Sequence, residues 1–305
     1  MRYLLSVTRQ PNQPGTAAPR TTTAPALVVD PASLAVTTVR PPGRWPGWGF
    51  REAWDYRSIC MVLARRALKV RYRQTVVGVA WALIQPLALV LIFTIFFCLL
   101  ARLPSQGVPY PLFYMSGLAI WQVVSKILSE GTSSVVANGA LVNRVYFPRV
   151  YFPLSVAVAS LVDLAVNGIA LAVLMLVYGF VPGVAIITLP ILIAVAYATA
   201  LGLAMVLSAL NVAYRDVGVM LPLLTQIWFF ITPLIYASTI IPERFQWLYY
   251  LNPMALVVTG MRWALLGTPA APWFAWPEGI VISLLALGGG YLVFRRRETA
   301  FADIV

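Results

Sequence analysis

Long segments without charged residues constrain this chain more than any other feature of its sequence. Residues 76–101 and 185–210 carry no charge, and residues 154–181 carry only Asp163. A helix of about 20 apolar residues crosses the roughly 30 Å hydrocarbon core of a bilayer. A closed β-barrel would instead show short alternating segments, which do not dominate here. The sequence therefore predicts an all-α polytopic membrane protein embedded in the lipid bilayer.

The distribution of charge supports the same conclusion. Apolar residues make up 60% of the chain and charged residues 10%, whereas soluble domains carry about a quarter charged residues. The net charge of +12 could suggest a nucleic-acid partner. However, nine of the 22 cations lie in residues 40–73, ahead of the first apolar segment, and Arg295, Arg296 and Arg297 follow the last one. This placement is typical of juxtamembrane anchoring, so no nucleic acid is expected.

Hydropathy predicts six membrane spans, at about residues 76–101, 112–128, 154–181, 185–210, 219–237 and 276–294. Residues 1–49 are rich in Pro, Thr and Ala and are predicted to form a flexible cytoplasmic tail. Residues 50–305 then form the transmembrane domain. Within it, residues 55–73 alternate apolar and basic positions at helical spacing, which predicts an N-terminal amphipathic interfacial helix. A solvated helix end that follows the positive-inside rule remains the alternative.

Residues 239–267 are apolar enough for a seventh span, but Asn252-Pro253 interrupts them and Arg262 follows. With six spans, most arginine clusters fall on one side of the membrane, namely the N-terminal region, Arg144 with Arg149, Arg215, and the final triplet. A seventh crossing would send the triplet outside. The segment is therefore predicted to be a re-entrant outer helical hairpin, with both termini cytoplasmic.

The residue inventory disfavours several kinds of catalysis. Histidine is absent, which removes the commonest general base and metal ligand, so no metal site is predicted. Cys60 and Cys98 are not expected to form a disulfide. A phosphate-binding loop needs lysine followed by Ser or Thr, but Lys69 and Lys126 precede Val70 and Ile127. No cofactor is expected in this chain, and any ATP and Mg²⁺ would bind a separate subunit.

Asp163 and Asn167 stand four residues apart and share one face of the third predicted span. An intramembrane carboxylate suggests a functional site such as a proton relay. A hydrogen-bonded pair that holds helices together is the structural alternative.

Aromatic residues recur in the predicted loop at 143–153, which contains a tandem Val-Tyr-Phe-Pro. Aromatic and arginine side chains anchor protein interfaces, so this loop is predicted to dock a cytosolic partner. An aromatic belt at the lipid headgroups is the alternative. Other rings suit the apolar faces of sugars and are predicted to line a channel, although each could instead contact lipid or pack helices: Trp81, Phe93, Phe97, Tyr114, Trp121, Trp228 and Tyr236.

Five ordered motifs carry a resemblance to a known family. They are residues 71–86 (Arg-Tyr-Arg-Gln-Thr-Val-Val-Gly-Val-Ala-Trp-Ala-Leu-Ile-Gln-Pro), 141–149 (Leu-Val-Asn-Arg-Val-Tyr-Phe-Pro-Arg), 211–217 (Asn-Val-Ala-Tyr-Arg-Asp-Val), 232–236 (Thr-Pro-Leu-Ile-Tyr) and 250–254 (Tyr-Leu-Asn-Pro-Met). From residue 54 onward the chain resembles the permeases of bacterial type-2 polysaccharide ABC exporters, which include the O-antigen (Wzm) and teichoic acid (TagG) permeases.

The resemblance implies a homodimer of six-span subunits, bound to two copies of a cytosolic ABC ATPase, in the bacterial plasma membrane. It implies export of a polyprenyl-linked polysaccharide. The residues that correspond to the gate helix near the lipid head group are Arg65, Arg66, Lys69, Arg71, Tyr72, Arg73 and Gln74. Those that correspond to the coupling segment seated on the ATPase are Asn143, Arg144, Val145, Tyr146, Phe147, Pro148 and Arg149.

Two rival functions remain at this point. A membrane glycosyltransferase or polymerase acting on a polyprenyl-linked glycan would need two or more acids at the membrane surface, whereas the ten acids here are scattered singly. A proton-coupled flippase would use Asp163. That second model requires Asp163→Asn to abolish transport, and an ATP-driven exporter does not.

Overall fold

The computed structural model describes residues 56–72, 78–100, 104–142, 147–298 and 301 of the chain. The predicted N-terminal tail lies outside these residues. All described residues belong to one unit, Arg44–Val305. Throughout the described part of the chain the regular structure is helical and contains no strand, which confirms the predicted all-α class.

The helices follow one another with short connections, as expected of spans joined by tight turns. They are α1 (Arg57–Tyr72), α2 (Gly78–Phe93), α3 (Tyr110–Ala137), α4 (Tyr151–Val177), α5 (Leu189–Ala213), α6 (Asp216–Ile231), α7 (Glu243–Tyr250), α8 (Pro253–Leu266) and α9 (Ala275–Arg297). A π-helical segment, Thr94–Leu100, extends α2. Shorter turns cover Gly139–Val142, Val184–Thr188 and Ser238–Ile240.

Four of the described helices are long and apolar enough to cross a bilayer: α3, α4, α9, and α5 together with the turn before it (Val184–Ala213). Three shorter apolar helices accompany them, at Ile84–Phe97, Asp216–Ile231 and Pro253–Leu266. The chain is thus a multi-pass helical membrane protein. The predicted total of six crossings stays a prediction.

The centre of the molecule is α3. Its apolar window is 78% buried, against 28% for α4 and 22% for α9, because α3 packs between α4 and α5 while the other helices keep one face outward. Helix α9 packs extensively against α5, and α1 packs against α4. Most of the other helices therefore pack against α3.

Two helix ends differ most from the predicted span boundaries. Helix α3 continues nine residues beyond the predicted end at 128, because its polar residues face neighbouring helices: Thr132 is buried and its carbonyl accepts a bond from Asn211 Nδ2 at 3.4 Å. Helix α6 stops at Ile231, short of the predicted 237. Pro233 lacks an N–H and disfavours a helical conformation at Thr232, which is extended.

The segment predicted to be a broken helical pair does consist of two short helices, α7 and α8. Asn252 caps α8, because its Oδ1 accepts a hydrogen bond from the Met254 N–H at 3.1 Å. Gly267 ends α8 in the left-handed conformation, with φ of 69°. The position of this pair relative to the membrane stays a prediction.

A buried arginine fastens α8 to the rest of the protein. Arg262 is 2% exposed and donates to three carbonyls: Phe113 at 3.1 Å, Leu234 at 2.8 Å and Tyr236 at 3.3 Å. Its guanidinium carbon also lies 3.6 Å from the centre of the Phe113 ring. A planar fork offers five donors in fixed, widely spread directions, whereas an ammonium offers three donors from a single nitrogen. Arg262 therefore ties the turn after α6 to the start of α3.

Small residues allow α5 and α9 to approach closely. A Cβ atom on Gly202 would lie 2.3 Å from the Ala286 carbonyl oxygen, and one on Gly290 would lie 2.1 Å from the Gly202 carbonyl oxygen. Ala286 and Gly290 stand four residues apart, a spacing that lets helix backbones pack tightly in membranes. The contact holds α9 against the core.

Candidate functional site

Four helices, α2, α3, α4 and α6, enclose a cavity of about 960 Å³. Its lining mixes aromatic, amide, hydroxyl and charged side chains with apolar ones, which is unusual among helices of such apolar composition. The lining residues are Gln85, Pro86, Leu89, Phe93, Tyr114, Leu118, Trp121, Gln122, Ser125, Lys126, Ser129, Glu130, Asp163, Val166, Asn167, Leu221, Pro222, Thr225, Gln226 and Phe229. This cavity is the candidate functional site.

One face of α3 supplies the longest wall of the cavity. Its lining residues recur every three or four positions, from Tyr114 through Leu118, Trp121 and Ser125 to Glu130. At 1.5 Å per residue this wall runs for about 24 Å. The cavity is therefore elongated along α3, with a length close to the thickness of a bilayer core, and is named the passage.

Aromatic rings form one end of the passage. Phe93 and Tyr114 stack with centroids 4.6 Å apart. Phe229 meets Phe93 at 6.2 Å and Trp121 at 5.7 Å, both edge to face. These contacts join α2, α3 and α6 into one aromatic wall, and the apolar ring faces provide a surface that suits the C–H faces of sugars.

Charged and amide side chains form the other end. Lys126 Nζ lies 2.8 Å from Asp163 Oδ1, with 25% and 13% of the two side chains exposed. Asn167 Nδ2 donates to the Ala119 carbonyl at 3.4 Å. Both contacts join α4 to α3, as expected if Asp163 and Asn167 hold these helices together. Glu130 lies at the same end.

The rings predicted to line a channel occupy different positions. Phe93, Tyr114 and Trp121 line the cavity, while Phe97 stacks on Phe93 at 5.4 Å. Trp228 touches Trp121 edge to face at 5.5 Å and Tyr236 donates to the Ile231 carbonyl at 3.0 Å, and neither belongs to the lining of the cavity. The Trp81 side chain lies outside the described residues. A channel lined by these rings stays a prediction.

The residues assigned to a gate helix lie on or just after α1. Arg65, Arg66 and Lys69 are exposed, and the exposed apolar residues Met61 and Val62 accompany them. The opposite face, with Cys60 and Ala64, is buried. The segment that was predicted to form an amphipathic helix is thus helical. The side chains of Arg71 and Tyr72, and all of Arg73 and Gln74, lie outside the described residues.

Burial raises the pKa of the Cys60 thiol. A raised thiol pKa keeps the group protonated at neutral pH, and the thiol is much less reactive than the thiolate. Cys60 therefore behaves as a small apolar residue that packs α1 onto its neighbours.

The segment that resembles a coupling helix is described only from Phe147 onward, so Asn143, Arg144, Val145 and Tyr146 lie outside the described residues. Phe147 is buried and meets Phe152 at 5.3 Å. Pro148 O accepts a bond from the Tyr151 N–H at 3.2 Å. Phe147 belongs to a second hydrophobic core that links α1, the loop, α5 and α9, built from Cys60, Val135, Val142, Phe147, Val150, Tyr151, Phe152, Met205, Ala209, Val212, Phe294 and Phe301.

Glu298, just after α9, holds the end of the same loop. Its carboxylate accepts a bond from the Arg149 backbone N–H, and its carbonyl accepts one from Arg149 Nη1. Arg295 Nη1 pairs with the carboxylate at 2.8 Å. The predicted coupling loop is therefore fastened to the C-terminal end of α9.

Two of the motifs that carry the family resemblance, residues 232–236 and 250–254, contact each other. Asn252 Nδ2 donates to Thr232 Oγ1 at 3.1 Å, and Asn252 Oδ1 accepts from Trp228 Nε1 at 3.0 Å. A third motif acts similarly, since Asn211 Oδ1 accepts from the Gly218 N–H at 2.9 Å in the first turn of α6. These motifs fix both ends of α6, the helix that closes one side of the cavity.

Sequence reasoning did not predict the contacts of Lys126, Glu130, Arg262 and Glu298. Lys126 and Glu130 stand four residues apart on α3, and their charges at the end of an apolar segment were a usable signal for a polar cavity. Arg262 lies in the middle of an apolar helix and carried the same signal. The sequence around Glu298 gave no such signal, because its partner Arg149 is distant in sequence.

The fold and the cavity define the class of the protein: a multi-pass helical membrane protein with a partly polar cavity between its helices. The profile of the ABC-2 type transporter family matches residues 59–266, and the chain belongs to this family. Membership implies a cytosolic ABC ATPase as partner.

The chain is also similar in sequence to individual transport proteins. The chain is 32% identical to an O-antigen export system permease protein RfbA of Klebsiella pneumoniae, over 81% of this chain and 95% of the relative. It is 31% identical to a protein of the same name from Myxococcus xanthus, over 70% and 82%. It is 21% identical to the polysialic acid transport protein KpsM of Escherichia coli, over 82% and 98%.

Proposed function

We propose that this chain is the transmembrane subunit of an ATP-driven exporter that moves a lipid-linked polysaccharide across the bacterial plasma membrane. The observation that carries the proposal is its membership of the ABC-2 type transporter family, joined to its similarity to O-antigen export permeases over nearly their whole length. The passage along α3 supports it, because rings and amides together suit a chain of sugars.

The working unit in this proposal is a homodimer with two ATPase subunits, which bind ATP and Mg²⁺. The chain itself has no lysine followed by Ser or Thr, as a phosphate-binding loop would require. The cargo is carried on a polyprenyl lipid, and the exposed cations of α1 attract its anionic head group. The residues assigned to coupling, around Arg149, receive the movement of the ATPase.

Removing the gene in its own host tests the function. The polysaccharide should disappear from the cell surface and lipid-linked material should accumulate inside, because synthesis continues without export. A copy of the gene restores export, and an ATPase subunit copurifies with the permease. Normal surface polysaccharide in the deletion strain would contradict the proposal.

The proposed orientation places both termini in the cytoplasm and the α8–α9 connection outside. Arg297→Cys and Trp273→Cys are matched probes, since both positions are exposed and α9 lies between them. In a Cys98→Ser background, a membrane-impermeant maleimide should label residue 273 on intact cells. It should label residue 297 only after permeabilisation. Labelling of residue 297 on intact cells would invert the orientation.

Glu298 is proposed to transmit movement between the coupling loop and α9. Glu298→Ala removes the carboxylate that holds the Arg149 N–H and Arg295. Export per ATP hydrolysed should fall by about five-fold or more, the usual scale of coupling between sites. The exposed acid Glu243 provides the control Glu243→Ala. Unchanged coupling in Glu298→Ala would leave that contact without a role in transport.

A further inference from the structure

Trp121 is held in the wall of the passage by two rings from the end of α6. It is 5% exposed and lines the cavity. Phe229 meets it edge to face at 5.7 Å and lines the same cavity. Trp228 meets it edge to face at 5.5 Å and is not among the lining residues. The position of Trp121 therefore depends on a second tryptophan that does not itself face the passage.

A single asparagine side chain sets the orientation of the Trp228 ring. Asn252 Oδ1 accepts hydrogen bonds from Trp228 Nε1 at 3.0 Å and from the Met254 N–H at 3.1 Å. Both of these partners can only donate, so the atom between them must be the amide oxygen. The amide nitrogen donates to Thr232 Oγ1 at 3.1 Å, and that hydroxyl donates to the Trp228 carbonyl at 2.9 Å. One small polar network thus fixes both the indole and the backbone of Trp228.

The contacts of Asn252 exceed what the cap of α8 requires. An N-cap residue needs one acceptor for a backbone N–H in the first turn, and Ser and Asp serve about as well as Asn. Asn252 also reaches across to α6, where it bonds to Trp228 and Thr232. Its oxygen uses both acceptor sites, and its nitrogen uses one of two donors. The two contacts with α6 therefore indicate a role that is separate from capping.

We propose that Asn252 is a positioning residue for the passage: it orients Trp228, and Trp228 in turn holds Trp121 in the wall. The inference rests on the proposed function only in treating this cavity as the path of the cargo. A tryptophan that loses the bond to its N–H can turn about its terminal side-chain torsion, which is broad. An edge-to-face contact depends on ring orientation, so Trp121 then shifts in the passage. Through Asn252 the cap of α8 is linked to the wall of the passage.

Three substitutions at this one position separate positioning from capping. Asn252→Asp keeps an oxygen for both Trp228 and Met254, and the Thr232 hydroxyl can turn to donate to the second oxygen. Asn252→Ser keeps an acceptor for the cap, but its side chain is one atom shorter and loses the bond to Trp228. Asn252→Ala removes all three bonds of the side chain.

Fluorine NMR of the full chain, labelled with 5-fluorotryptophan and purified in detergent micelles, reports on the two rings directly. The spectra of Trp121→Phe and Trp228→Phe assign their resonances. Both resonances should shift in Asn252→Ser and in Asn252→Ala, whereas the Trp121 resonance should keep its position in Asn252→Asp. The control is Asn138→Ala, because Asn138 Nδ2 donates to the Ser134 carbonyl at the C-terminal end of α3. This control should leave the Trp121 resonance in place.

Export by the permease reconstituted with its ATPase gives a second readout. Export should fall by about five-fold or more in Asn252→Ser, the usual scale of coupling between sites, and Asn252→Asp should retain most of it. Both variants keep the cap of α8, so their thermal stabilities should be similar. A difference in export between them therefore reports the contact with Trp228 and not the folding of the chain.

An unmoved Trp121 resonance in Asn252→Ser would overturn the inference, and so would equal export by Asn252→Ser and Asn252→Asp. Asn252→Ser decides the question even if Asn252→Ala fails to fold. Absence of export by the unsubstituted complex would count against the proposed function. The fluorine spectra would still decide whether Asn252 positions the wall, because they do not depend on transport.

Discussion

Arg262→Ala is expected to destabilise the folded protein by about 2–6 kcal/mol, because it leaves two buried carbonyls, those of Leu234 and Tyr236, without a donor. Arg262 donates to three carbonyls, and of these only the Phe113 carbonyl would keep another donor, the Ser116 hydroxyl at 2.9 Å. Each unsatisfied buried acceptor costs roughly 1–3 kcal/mol. Thermal unfolding of the purified chain in detergent, followed by intrinsic fluorescence, measures the loss.

Two further variants separate geometry from charge. Arg262→Lys keeps the positive charge, but a lysine ammonium cannot replace the planar fork and should recover only a small part of the stability. Arg244→Ala removes an exposed arginine from the same pair of helices and should change stability by about 0.5 kcal/mol or less. If Arg262→Lys proved as stable as the unsubstituted protein, the three-carbonyl contact would not be what holds α8.

Gly290→Ala should destabilise the protein by about 1–3 kcal/mol, whereas Gly289→Ala should not. The two changes add the same methyl group one residue apart on α9. At Gly290 the new Cβ would lie 2.1 Å from the Gly202 carbonyl oxygen, so α5 and α9 must separate. At Gly289 no described atom outside its own turn of helix lies within 4 Å of the added carbon. The melting temperatures of the two purified variants make the comparison.

Gly202→Ala provides an independent check from the other helix. Its Cβ would lie 2.3 Å from the Ala286 carbonyl oxygen, so it should be destabilising in the same way as Gly290→Ala. Because the two glycines share one contact, the double variant should lose less than the sum of the single losses. Equal stabilities of the Gly290→Ala and Gly289→Ala variants would mean that the helices do not approach as closely as described.

The helical class and the positions of the apolar segments could be predicted because hydropathy over 20 residues is a strong local signal. The ends of the helices were harder to predict where polar residues are buried. Nothing in the sequence reveals that Thr132 is buried in the protein, so the second predicted span ends nine residues before α3 does. Pro233 did signal the end of α6, but the apolar residues after it outweighed that signal in the hydropathy.

The site was only partly accessible from sequence. Phe93, Tyr114 and Trp121 were singled out as rings, and they line the cavity. Asp163 was recognised as an intramembrane acid, yet its partner Lys126 lies 37 residues away. Pairing across that distance depends on how α3 packs on α4, which hydropathy does not encode. The contact between Arg149 and Glu298 could not be predicted for the same reason.

Reconstitution measures the central claim most directly. The permease and its ATPase, placed together in vesicles loaded with lipid-linked polysaccharide, should move the polysaccharide to the opposite leaflet only when ATP and Mg²⁺ reach the ATPase. Transport should stop when the ATPase carries a substitution that prevents hydrolysis, even if a proton gradient is present. Polysaccharide movement driven by the gradient without ATP would contradict the account.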